Sequence, residues 1–186
     1  MAVGARATCP PFLRAMIRPI LRYGADTLHG TASEVQRFDD DLQRLIDDMV
    51  DTMYAAPGVG LAAPQVGVPQ RLFIADPSAG RSADDLIILI NPRLVEEGGV
   101  QREEEGCLSL PGFTAAVPRP TRLVLEGQNR DGATTSVEGE GLLARVFSHE
   151  LDHLDGALFV NRLRGIRRDL IVRRVRKLQR SGKWCR

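Results

Sequence analysis

The 186-residue sequence predicts a single α+β domain: mostly antiparallel strands around a central helix, with a long helix before them and another after. Three observations carry that expectation. An apolar period near 3.6 residues runs from about Val35 to Tyr54. From Arg71 to Val137 the texture changes to short β-branched or apolar segments bounded by Gly, Pro, Asn and Asp. Helical periodicity then returns at Leu142 and again at Ile166. No internal repeat and no linker divides the chain. Its 43% hydrophobic and 26% charged composition excludes disorder, and no apolar run nears the roughly 20 residues that span a bilayer. A membrane protein is therefore excluded, and no membrane partner is expected.

Taken in order, residues 1–15 read as a leader ahead of a catalytic domain at 16–180 and a tail at 181–186. Arg6, Arg14, Arg18 and Arg22 precede the first acid, Asp26, which leaves an organelle-targeting leader as the alternative to a cytoplasmic location. Ser33 and Gln36 read as a capping box for the first helix. Val35, Phe38, Leu42, Leu45, Ile46, Met49, Val50 and Met53 form its apolar face, and Asp39, Asp40, Asp47 and Asp48 read as a solvated face. Pro57 and Gly58 end it. Strands follow at Arg71–Asp76, Leu86–Asn91, Arg122–Glu126 and Thr134–Val137, the last two joined by the turn Asn129–Gly132. Helices are expected at Leu142–Leu154 and Ile166–Gln179.

The helix expected at Leu142–Leu154 contains His149-Glu150-Leu151-Asp152-His153, an HExxH pattern. A four-residue spacing puts both imidazoles on one helical face, where they can hold one ion, and sets Glu150 beside it as a proton carrier. A third ligand must come from elsewhere. His29 sits beside Gly30 in a polar stretch and reads as a turn histidine. Cys107, in Glu105-Gly106-Cys107-Leu108-Ser109, is the better candidate, since Gly106 removes side-chain bulk beside its thiol. A buried structural cysteine and a nucleophile served by His149 or His153 are the other readings of Cys107. The three cysteines, Cys9, Cys107 and Cys185, are too few and too scattered for a disulfide framework, and Cys185 reads as a free surface thiol.

A third segment, Gly58-Val59-Gly60-Leu61-Ala62-Ala63-Pro64-Gln65, satisfies a dinucleotide pattern only mechanically, because it follows a helix rather than a strand. It reads instead as a tight loop of bare backbone lining a cleft, with the Gln65 amide suited to an oxyanion. Val59, Leu142 and Val146 are candidates for an apolar pocket, the last two lying seven and three residues before His149 on its helical face.

Together these segments resemble the peptide deformylase family, whose motifs GxGLAAxQ, EGCLS and HExDH appear here as GVGLAAPQ, EGCLS and HELDH, in the family's order. The resemblance covers about Ile17 to Leu178. It implies hydrolysis of the N-formyl group from the initiator methionine of newly made polypeptides, with release of formate. It implies that Cys107, His149 and His153 hold the metal and that Glu150 is the general acid/base. Gln65 and the Leu108 backbone N–H would hold the oxyanion, Gly60 would offer backbone hydrogen bonding to the substrate, and Gly106 would join it in the substrate site. It further implies one divalent ion, Fe(II) first, with Zn, Ni or Co able to occupy the site. A monomer acting on nascent formyl-Met peptides is the expected form. The chain departs from the family at Ser148, where Gln is usual, and at Gly112–Ala116, which lacks a basic residue common there.

Two rivals remain. An HExxH zincin-like metallopeptidase would want a third ligand downstream, and a non-enzymatic RNA-binding module would rest on the basic C-terminal helix. That helix hides behind a formal net charge of +1. From Arg162 to Arg186 there are eleven basic residues against Asp169 alone, which leaves residues 1–161 at −9. Ile166, Leu170, Val175 and Leu178 approximate its docking stripe. Its cationic face reads as a solvated surface or as a ribosome contact through rRNA.

Overall fold

The computed structural model describes residues 16–184; the leader expected at 1–15 and the Cys185 thiol lie outside them. Five strands form one antiparallel sheet in the order β1 (Gly60–Ala62), β2 (Leu72–Ala75), β3 (Ile87–Gly98), β6 (Arg122–Gln128), β7 (Thr134–Glu140). A separate hairpin pairs β4 (Gln101–Gly106) with β5 (Thr114–Arg119). Helices α1 (Asp40–Ala55), α2 (Leu142–Leu154), the short α3 (Phe159–Arg162) and α4 (Ile166–Arg180) complete the α+β fold. No helix among the described residues is long and apolar enough to cross a membrane.

The first helix starts later than its apolar period. Asp39 caps α1 by accepting from the Leu42 N–H, whereas Ser33 bridges to the segment before β2, donating to the Pro69 carbonyl and accepting from the Arg71 N–H. Val35 is bound in extended form by Asn91, whose side chain accepts from the Val35 N–H and donates to its carbonyl. Val35 thus continues the apolar pattern without being helical, because Asn91 satisfies its backbone, and Phe38 also precedes the helix. One acid of the expected solvated face is buried instead. Asp48 accepts from the Met16 N–H at 2.6 Å and Arg18 Nε at 2.9 Å, which straps the N-terminal segment across α1. The strap then donates Leu21 N–H to the Gln65 carbonyl and Tyr23 N–H to the Ser109 carbonyl.

All four expected strands are present. The expected loop at Gly58–Gln65 is instead edge strand β1, paired with β2, followed by a tight turn over Ala63–Val66. β3 continues well past its expected end through a bulge at Asn91, whose φ is +51. One apolar layer lies between the sheet and α1, through Leu45, Ile46, Met49, Ile74 and Ile90. A second lies between the sheet and α2, where Ala144, Phe147 and Leu154 meet Phe73, Leu89 and Leu125. The third joins α3, α4 and β5 through Val117, Phe159, Val160, Val175 and Trp184.

The docking stripe on α4 is shifted from the expected one. Val175 is buried and Ile171, Val172 and Leu178 pack beside it, but Ile166 and Leu170 are 73% and 59% exposed. From Ile171 onward α4 meets the body, helped by Trp184, which is buried and donates its indole N–H to the Tyr23 carbonyl.

Asp48→Ala leaves the strap's donors unpaired and should lower the unfolding free energy by about 2 kcal/mol in urea titrations. Asp47→Ala, which removes only an exposed pair with Arg130, should cost under about 0.5 kcal/mol. Equal effects would show that the strap is not held through Asp48.

Candidate metal centre

Three elements bring the site together. Helix α2 forms because Leu143, Ala144, Phe147, Leu151 and Leu154 recur at helical spacing and bury against the sheet, which turns His149, Glu150 and His153 toward β1 and the end of β4. Cys107 follows β4 directly. The ligand atoms of Cys107, His149 and His153 lie within 4.8 Å of one another, with Cys107 Sγ 3.2 Å from His153 Nε2. The edges of a tetrahedron around one ion would be about 3.3–3.6 Å for such a set. His29 stays apart, exposed and edge-on to the Tyr23 ring at 5.2 Å.

The electrostatics favour a cation. Burial works to lower His149, but the charge on Cys107, hydrogen bonds with Cys107 and Glu105, and the charge on Glu150 outweigh it and raise its pKa well above the ordinary value. A field that draws a proton onto His149 draws a dication to the same place. Burial, then the charge on His149, pushes His153 well below its ordinary value, so it stays neutral and free to ligate. One thiolate and two imidazoles are donors that Fe(II) and Zn(II) both accept. The residues fit a divalent ion.

Glu150 is buried against Gly60, and its Oε2 has no hydrogen-bond partner. A Cβ on Gly60 would lie 2.3 Å from Glu150 Oε1, so only glycine lets β1 pass this close to the carboxylate. Burial pushes Glu150 up to about 7; the charges of His149 and Arg119 oppose it, and those of Glu105 and Asp152 assist. A carboxyl in that range can take and return a proton near neutrality. Gln65 is also buried: its Oε1 accepts from the Ala62 N–H at 2.9 Å, while its Nε2 donates to Ser109 Oγ and lies 3.7 Å from Cys107 Sγ.

A cleft of about 380 Å³ opens over these groups and is lined by Val59, Gly60, Gly106, Leu108, Leu142 and Val146, as well as the charged residues. Every site residue expected from the sequence is therefore at one place. Leu142 is 47% exposed and stands at the rim, whereas Val146 is buried in the wall. Ser148 turns away, donating to the Ala144 carbonyl at 2.8 Å and facing a larger trough behind α2 that contains none of the three ligands.

The sequence reading missed the groups behind the histidines. Glu105 Oε1 lies 2.9 Å from His149 Nδ1. Arg119 donates to both Glu105 oxygens and, at 2.8 Å, to Asp152, which Arg162 holds from its other side. Single charges far apart in the chain carry no local signal. A hint existed in Asp152 itself, a carboxylate on the turn of α2 that also carries His149 and His153. Arg145, which also lines the cleft, was missed for the same reason.

A family model described as polypeptide deformylase matches residues 17–169. The chain is similar to a peptide deformylase of Acidobacterium capsulatum, 47% identical over 91% of this chain and 99% of that protein. It is similar to one of Thermodesulfovibrio yellowstonii, 43% identical over 86% and 97%. The crystal structure of a peptide deformylase from Legionella pneumophila superposes with a TM-score of 0.83 at 40% identity, covering 91% of this chain and 99% of that one.

Burial alone would raise Glu105, but hydrogen bonds from His149 and Arg119, and their charges, hold it down at about 2. Because the folded value is depressed, this stabilisation is present above about pH 4.5 and is lost as pH falls towards about 2. Acid titration of folding should show that slope. In Glu105→Gln the slope should shrink and neutral-pH stability should drop by about 3 kcal/mol. An unchanged acid profile would contradict the assignment.

Proposed function

This chain belongs to the polypeptide deformylase family, and from that premise we propose how its own residues carry the reaction. It is a hydrolase that depends on a divalent ion. It removes the N-formyl group from the N-terminal formylmethionine of newly synthesised polypeptides and releases formate. The residue roles rest on one observation: three sequence-distant segments converge a thiol, two imidazoles, an unpartnered carboxylate and an amide on one cleft.

Cys107, His149 and His153 hold the ion, which we take to be Fe(II), with Zn, Ni or Co able to replace it. When bound, it supplies a Lewis acid that acidifies water and polarises the formyl carbonyl. Glu150, buried and with Oε2 free, accepts the proton of the attacking water and passes it to the departing methionine nitrogen. The Gln65 Nε2 and the Leu108 N–H donate to the formyl oxygen as its charge grows, an effect worth about 3 kcal/mol per donor. Val59 and Val146 enclose the methionine side chain, with Leu142 at the rim. Gly60 and Gly106 keep the path clear of side chains. Glu105 orients His149 through Nδ1. The zincin-like alternative loses its motive here, because the third donor comes from upstream.

We further propose that the chain acts as a monomer in the cytoplasm, where its substrates emerge, and that α4 meets ribosomal RNA. Arg167, Arg168, Arg173, Arg174 and Arg176 are all exposed on α4, whereas its docked side is apolar. Charge reversal at Arg173 and Arg174 should abolish salt-sensitive co-sedimentation with ribosomes; salt-independent or unchanged binding would contradict this proposal.

Oxygen-free purification, metal analysis and formate release from formyl-Met-Ala-Ser test the reaction. Chelation should remove activity and added Fe(II) should restore it. Glu150→Gln should keep the metal and lose at least about a hundredfold in kcat. Gly60→Ala, which crowds Glu150, should also lower kcat. Absence of formate from the iron-loaded protein, or equal rates for Glu150→Gln, would sink the proposal.

A further inference from the structure

Arg145 is the single lysine or arginine that lines the cleft over the metal centre among the described residues. It precedes His149 by four residues on α2 and so shares its helical face, one turn nearer the rim. Its Nη2 donates to the Glu104 backbone carbonyl at 3.0 Å, which pins the guanidinium between α2 and β4. It enters no ion pair among the described residues, and its Nε lacks an acceptor. The arginines behind the site differ in this respect. Arg119 is matched by Glu105 and Asp152, and Arg162 by Asp152.

The other charges facing the cleft do not cancel it. Glu105 is engaged by Arg119 and His149, and Glu150 lies on the cleft floor against Gly60. Glu104 also lines the cleft and is exposed, but Arg145 meets its backbone carbonyl and forms no ion pair with its carboxylate. The opposite rim contributes Gly112, Phe113 and Thr114, which carry no charge.

We propose that Arg145 is a specificity-determining residue that favours formylated peptides with an acidic side chain at one of the two positions after the methionine. This rests on the deformylase reading above. An extended peptide advances about 3.3 Å per residue, so those two residues pass a guanidinium standing one helical turn from His149. A half-exposed charge pair of this kind changes a rate ratio by roughly threefold to tenfold. The chain thereby sets its preference beyond methionine from α2, whereas the stretch Gly112–Ala116 supplies no charge for the purpose.

The test reads kcat/KM for formate release from four C-terminally amidated peptides: formyl-Met-Glu-Ala, formyl-Met-Lys-Ala, formyl-Met-Ala-Glu and formyl-Met-Ala-Lys. Wild type should prefer Glu over Lys by roughly threefold to tenfold at one position or both, and added salt should compress the ratio. Arg145→Lys should keep that ratio, Arg145→Gln should bring it near one, and Arg145→Glu should invert it. Each ratio is taken on one preparation, so incomplete folding or metal loading of a variant cancels. A wild-type ratio near one at both positions, or a ratio unmoved in Arg145→Gln and Arg145→Glu, would overturn the inference. Absence of formate from all four peptides with wild type would overturn the deformylase reading and this inference with it.

Discussion

A chain of buried charges sets the position of everything at the metal centre. Glu105, Arg119 and Asp152 are each less than 10% exposed and joined to one another, with His149 at one end and Arg162 at the other. Buried charges are tolerated only when paired and hydrogen-bonded, and removing one partner commonly costs about 3–5 kcal/mol. Helix α2 supplies Asp152, β4 supplies Glu105 and β5 supplies Arg119. The hairpin and the helix therefore dock in one register or leave a charge stranded. That register places Cys107, one residue past β4, against the two histidines. The stability of the pairing and the geometry of the ligands are one constraint.

Close approach on the other side of α2 is secured by absence rather than charge. Gly60 lets β1 run against Glu150, and the tight turn that follows aims the Gln65 amide at the same space. The N-terminal strap then bonds the Gln65 and Ser109 carbonyls through Leu21 and Tyr23, which ties together the segments carrying the amide and the thiol. Its anchor is Asp48 on α1. A residue far from the chemistry thus helps to hold two loops that flank it. The cleft keeps one unbalanced cation at its rim, while Glu105, Arg119 and Asp152 beneath it are matched.

Much of this was legible in the sequence. The HExxH helix declares itself through apolar periodicity that continues across the histidines, and its expected bounds, Leu142–Leu154, are those observed. The ligands, Glu150 and Gln65 lie in short segments whose residue types suit one chemistry. Other features were hidden for physical reasons. Val35 and Phe38 continue the helical spacing and pack on the same core from ahead of the helix, so α1 was read too long. β1 is rich in glycine and alanine, and β4 carries Glu103, Glu104 and Glu105, so neither resembles a strand until its partner is known. Ile166 and Leu170 fit an apolar stripe that the body of the protein does not reach. Arg119, Arg145 and Arg162 are single cations whose partners lie on other elements, and pattern alone cannot pair them.

The central claim is that one thiolate and two imidazoles from three converging segments hold a single divalent ion beside Glu150. X-ray absorption at the metal edge of the loaded protein tests it most directly. The expected first shell contains one sulfur at about 2.3 Å and two imidazole nitrogens at about 2.0–2.1 Å, with the sulfur lost in Cys107→Ser. A shell with no sulfur, or a sulfur that persists in Cys107→Ser, would contradict the account.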